Sequence, residues 1–139
     1  MFTKKRLRKR VASISVGTFG LLAIQIGAFA AMTWSNTETM TLNGAVEEWV
    51  TSNTYNAKTT EDDAFDVFTV ATTAWSNPSF RLVNSEGAVR SKTITMPNTG
   101  HEKTGGGNTG EVGHWYYGSL KPHLLQHGTD TIKFQFKSR

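Results

Sequence analysis

TDTIKFQFK, residues 129–137, decides what kind of structure this chain builds. Ile132, Phe134 and Phe136 alternate with Lys133, Gln135 and Lys137, the period of two expected of a strand with one dry face. SFRLV (79–83) repeats the pattern, with Phe80 and Leu82 on one side, and then meets the turn Asn84-Ser85-Glu86-Gly87. VRSKTITM (89–96) comes next, rich in β-branched residues, and stops at Pro97-Asn98-Thr99-Gly100. These two segments read as a hairpin with a four-residue loop.

Further upstream, FDVFTVATTAW (65–75) is apolar on both parities, as an interior strand would be. TMTLNGAVEEWV (39–50) predicts a strand up to Leu42, because Asn43-Gly44 is a favoured two-residue hairpin turn. Residues 45–51 stay open between strand and short helix, since Leu42, Val46, Trp49 and Val50 also fit a helical face. TSNTYNAKTTEDD (51–63) is polar and reads as a long loop. Short strands, frequent turn signals and no alternating helices predict an all-β fold. The expected form is an antiparallel β-sandwich of about six or seven strands, jelly-roll or immunoglobulin-like, after an N-terminal signal helix. Residues 31–139 form one domain, with a strand or hairpin and an acidic loop at 31–64 and the main strands at 65–139.

The start of the chain has a different character. Lys4, Lys5, Arg6, Arg8, Lys9 and Arg10 precede a largely apolar run at 11–30 that ends Ala28-Phe29-Ala30. A positive region, an apolar region and a small-x-small end are the three parts of a secretory signal peptide, which predicts cleavage after Ala30. The alternative is an uncleaved anchor, although Gln25 and three glycines weaken such a span. On either reading the remainder is exported, so the membrane is a partner during export and the product is extracellular.

Charge must then be counted without the leader. From residue 31 onward there are nine Lys/Arg against eleven Asp/Glu, so the basic balance of the whole chain belongs to its first ten residues. A nucleic-acid partner is therefore not expected. Residues 31–66 hold seven acids against Lys58 alone, whereas 67–139 hold eight basic residues against four acids. This division suits steering of partners or head-to-tail self-assembly, or else is a solvated surface with chance clustering. There is no cysteine, so the domain must fold without disulfides. The single Asn-x-Ser match, Asn77-Pro78-Ser79, is spoiled by its proline, which fits a bacterial origin.

Three stretches carry residues suited to chemistry. TGGGNTGEVGHWYYGSL (104–120) satisfies G-x-G-x-x-G at Gly105, Gly107 and Gly110. The residues after Gly110 are aromatic and strand-like, however, and no helix N-terminus is offered to a phosphate. The glycines read as a loop, and no cofactor is implied. Beyond it, His114, Trp115, Tyr116 and Tyr117 are the candidate binding residues. One face of this segment fills the core; the other is either covered or an exposed platform for sugar, peptidoglycan or protein.

His123 and His127 have the i, i+4 spacing of zinc ligands on a helix, although Pro122 and Gly128 leave room for one turn at most. Asp62 and Asp63, within the acidic group Glu61–Asp66, are the candidate calcium ligands, without the ordered Asp-x-Asp-x-Asp-Gly spacing. No nucleophile sits in a recognisable catalytic motif, so an enzyme is not expected.

Trp34-Ser35-Asn36-Thr37-Glu38-Thr39, just past the small-x-small junction, resembles the export-signal junction of the TasA/camelysin group of Gram-positive biofilm-matrix and surface proteins. GTDTIKFQF (128–136) is similar to late strands of that group. The resemblance implies a jelly-roll-like sandwich, a matrix or surface role and a dedicated signal peptidase, and it carries over no catalytic residue. The chain supports three functional expectations. The first is a secreted, non-enzymatic sandwich that binds or self-assembles at the cell surface or matrix, with a cell-envelope component as partner. The second is a bacteriocin-like antagonist of another cell's envelope, using Arg81, Arg90, Lys92, Lys121, Lys133, Lys137 and Arg139 together with the aromatics. The third is a metal-dependent hydrolase built on His123 and His127.

Overall fold

A computed structural model describes residues 33–139. The expected leader and its cleavage residues Ala28 and Ala30 lie outside the described residues. Eight strands run in order: β1 (Glu38–Asn43), β2 (Val50–Ala57), β3 (Phe65–Thr72), β4 (Ser79–Val83), β5 (Ile94–Thr95), β6 (Glu102–Gly105), β7 (Trp115–Lys121) and β8 (Thr129–Lys137). One sheet has the order β1-β8-β3-β6 and the other β2-β7-β4-β5, with every pairing antiparallel. The chain switches sheets at every connection except β4–β5. Two four-stranded sheets wound in this way make a jelly roll, which decides between the two sandwich types expected. The expected hairpin of 79–83 with 89–96 is that one exception, with Phe80 opposite Ile94 and Asn84 closing the turn onto Gly87 and Ala88.

The alternation in β8 works as the sequence predicts. Ile132, Phe134 and Phe136 are buried while Thr131 and Lys133 face outward. Met40 and Leu42 of β1, Phe65 and Val67 of β3, Phe80 and Leu82 of β4 and Leu120 of β7 complete the centre of the core, with Met96. Phe80 lies in the middle of an aromatic group, with ring centroids 5.7 Å from Phe65, 6.1 Å from Phe134 and 5.8 Å from Phe136. Both sheets and this core lie within residues 38–137, so the sandwich closes using the described residues.

Three segments depart from expectation. Residues 45–49 form neither strand nor helix. The Asn43 carboxamide accepts from the Ala45 N–H, and the Gly44 N–H donates to the Gly128 carbonyl, so the chain turns toward the β7–β8 connection before β2 begins. The polar stretch expected as a loop at 51–63 is a strand as far as Ala57. Its inward Ser52 and Asn56 are polar, but each has partners. The Ser52 hydroxyl accepts from the Gly118 N–H where β2 bulges between Thr51 and Tyr55. The Asn56 carboxamide accepts from the backbone and hydroxyl of Ser138. Glu38 accepts from the N–H groups of Asn53 and Thr54 at 2.9 and 2.7 Å, tying the same bulge to β1. Strand β6, which reaches into the glycine stretch expected as a loop, is short and carries one buried residue, Gly105.

Part of the division of charge along the sequence is met within the fold. Asp66, fully buried, accepts from Arg139 Nε and Nη2, each at 2.9 Å, and from the Thr104 hydroxyl at 2.6 Å. Lys137 adds its ammonium at 3.5 Å, and Arg139 also reaches Asp62 at 2.9 Å. Two acids of the first half, Asp62 and Asp66, thus meet two bases of the second. Beside them Lys58 is buried and donates to the Asp62 carbonyl. Burial pulls its ammonium below the ordinary lysine value, against the neighbouring carboxylates.

The glycine of β6 yields a first prediction. A Cβ at Gly105 would lie 2.2 Å from the Phe65 ring, and that ring is fully buried, so it has no free space to retreat into. Gly105→Ala is expected to cost about 1–3 kcal/mol through overpacking, measured by urea unfolding. Gly106→Ala, with open space at its Cβ, serves as the control.

Candidate functional site

Strand β7 begins at Trp115 and places alternate side chains on opposite faces of its sheet. Tyr116, Gly118 and Leu120 face the core and are buried. Trp115, Tyr117, Ser119 and Lys121 lie on the outer face. Antiparallel pairing sets Tyr55 of β2 opposite Tyr117, and Ala57 opposite Trp115. The three outer aromatics therefore converge. The Tyr55 ring meets Trp115 edge to face at 4.8 Å and Tyr117 at 6.0 Å. Tyr55 remains 51% exposed and Trp115 49% exposed, while Tyr117 is partly buried.

These rings form one wall of an open hollow of about 600 Å³. Its rim comes from two connections that the jelly roll brings to the same end. Asn84, Ser85, Glu86 and Arg90 belong to the β4–β5 connection, and Thr109, Glu111 and His114 to the β6–β7 connection. His114 Nε2 lies 3.4 Å from a Glu111 carboxylate oxygen, with both side chains exposed. Tyr116 also contributes to the lining, but its hydroxyl accepts from the Glu111 N–H at 2.6 Å, so it fixes the rim. Gly110 lets that ring approach, because a Cβ there would lie 2.6 Å from Tyr116 Cζ. The glycine-rich stretch thus shapes one edge of the hollow through contacts that a side chain would block.

All four aromatic-run residues expected to bind, His114, Trp115, Tyr116 and Tyr117, line this one hollow. His114 stands in the turn before β7 and shares no strand face with Tyr116. Tyr55 escapes a reading of the sequence, because it sits in the stretch that reads as a polar loop. The arrangement is chemically plain: partly exposed aromatic rings beside two carboxylates, a guanidinium, an imidazole and hydroxyls. Such a surface is chemically suited to a flat ligand with an apolar face and hydrogen-bonding edges.

The residues considered for metal are placed elsewhere. His123 and His127 lie in a turn of the β7–β8 connection, where His123 Nδ1 accepts from the Leu125 N–H at 3.1 Å. On a helix their i, i+4 spacing would align the two rings, and this connection has no helix. Asp62 accepts from Arg139, whose guanidinium, with the Ala64 N–H, holds its carboxyl below the ordinary value. Asp63 is exposed. Among the described residues no three His, Asp or Glu side chains gather as a metal site. Of the cations expected to meet anionic surfaces, Lys137 and Arg139 are engaged by Asp66, Asp62 and Glu102. Among the described residues no helix is long and apolar enough to cross a membrane. No protein-family model matches the chain, and no curated protein sequence matches it.

Proposed function

We propose that this is a secreted bacterial protein without enzymatic activity, acting at the cell surface or in the extracellular matrix by binding a surface component through the aromatic hollow. The observation that carries this reading is the cluster Tyr55–Trp115–Tyr117. Large aromatics are normally buried, and here two rings about half exposed are held edge to face on paired strands. Rings set on strands lose little freedom when a ligand stacks on them, which favours binding. The leader-like first thirty residues and the resemblance at 34–39 support the exported location. The jelly-roll strand order accords with what that resemblance implies.

The test is pull-down of residues 31–139 on purified bacterial cell-wall and matrix polysaccharides, followed by titration calorimetry on whichever is retained. Trp115→Ala is expected to weaken binding roughly 10- to 100-fold, on the scale of one stacked aromatic anchor, with an unchanged melting temperature. Retention that is indifferent to both Trp115→Ala and Tyr55→Ala would remove the hollow from consideration.

A further inference from the structure

The outer face of the β2-β7-β4-β5 sheet does not end at the hollow. Four residues along β7 from Tyr117, on the same face, stands Lys121, about 14 Å away at the usual strand rise. Arg81 of β4, opposite Ser119, is its diagonal neighbour. Trp49, entering β2, stacks on the Arg81 guanidinium at 3.8 Å and lies 6.0 Å from the Lys121 ammonium. The smaller outward residues Val83 and Ser119 are buried, so the longer side chains form the surface.

Two features of this second cluster are unusual. Neither Arg81 nor Lys121 makes an ion pair among the described residues, in contrast to Lys137 and Arg139. Arg81 Nε is also buried without a hydrogen-bond partner. The two cations share the Trp49 ring with no carboxylate among the described residues in ion-pair contact with either, which leaves this face ready for an arriving anion. Stacking on Trp49 holds the guanidinium in place for carboxylate or phosphate oxygens. The hollow has the opposite balance, since Glu86 and Glu111 stand against Arg90 on its rim.

The geometry points to an extended glycan bearing acidic groups as the ligand. A sugar ring without charge stacks on Tyr55, Trp115 and Tyr117. The chain runs along β7, and a carboxylate or phosphate a few sugars away reaches Arg81 and Lys121. This rests on the hollow being the binding site and adds the second contact point and the charge of the ligand.

The experiment measures binding of residues 31–139 to three polymers at low salt: hyaluronan, in which uronates alternate with uncharged sugars, a sparsely phosphorylated β-glucan, and the same β-glucan without phosphate. At least one acidic polymer is expected to bind roughly tenfold tighter than the neutral glucan, the scale of charged hydrogen bonds gained. Arg81→Gln with Lys121→Gln should abolish that preference and leave glucan binding intact, whereas Trp115→Ala should weaken all binding. Which acidic polymer responds identifies the group read by the two cations. If the double variant melts early, Lys121→Glu alone must reverse the preference. A preference that survives these changes, or acidic polymers bound no better than glucan, overturns the inference. Glucan binding that depends on Trp115 would then leave the hollow standing; no binding to any polymer would remove both.

Discussion

Phe80→Ala is expected to lower the unfolding free energy by about 3–5 kcal/mol, the range for emptying a buried aromatic site. Phe80 is fully buried and packs against the rings of Phe65, Phe134 and Phe136 from two strands of the opposite sheet. Rings of that size cannot all shift inward, so much of the cavity stays open. The loss is large against the total stability of a small domain, about 5–15 kcal/mol, and there is no disulfide to limit it. Guanidinium unfolding followed by circular dichroism measures it. Phe68→Ala gives the comparison, because Phe68 is only partly buried and meets Trp34 at 6.2 Å on the outer face. A Phe80→Ala loss below about 0.5 kcal/mol, within the range of surface changes, would mean that the two sheets do not pack through this ring.

The core was legible because its rule is local. Ile132, Phe134 and Phe136 announce an inward face by alternation alone, and Phe80 and Leu82 do the same. Strand β2 was not legible, for a physical reason: its inward side chains are Ser52 and Asn56, whose partners Gly118 and Ser138 lie 66 and 82 residues away. A polar side chain satisfied from so far reads locally as a loop. The same blindness hid Tyr55, although Trp115 and Tyr117 were visible, because only the β2–β7 register brings it beside them. The choice of jelly roll over immunoglobulin-like sandwich likewise depends on which strands pair, which turn residues do not encode. His123 and His127 show the converse case. Their spacing is meaningful on a helix, and the chain between Pro122 and Gly128 forms a turn.

Removing the guanidinium that clasps Asp66 is expected to have an effect of similar size to Phe80→Ala, but one that depends on pH. Arg139→Ala leaves a fully buried carboxylate with only Lys137 at 3.5 Å and the Thr104 hydroxyl at 2.6 Å. Breaking a fully buried pair by deleting one partner costs about 3–5 kcal/mol; with Arg139 27% exposed and Lys137 still beside the carboxylate, a loss of about 3 kcal/mol is expected here. In the native protein burial works to raise the Asp66 carboxyl, yet Arg139, Thr104 and Lys137 together hold it below the ordinary value. A group whose folded value is depressed stabilises the fold above its unfolded value, near pH 4, and loses that contribution as pH falls through the lower folded value. Stability should therefore be flat from neutral pH down to about pH 4–5 as far as this group is concerned, and then fall. Asp66→Asn keeps an acceptor for Thr104 but cannot titrate, so it should be less stable than the native protein at pH 7 and should show a shallower fall in acid. Melting temperatures across this range decide the matter. If Asp66→Asn declines in acid as steeply as the native chain, the buried pair is not what acid undoes, and the exposed Asp62–Arg139 contact would be the next group to examine.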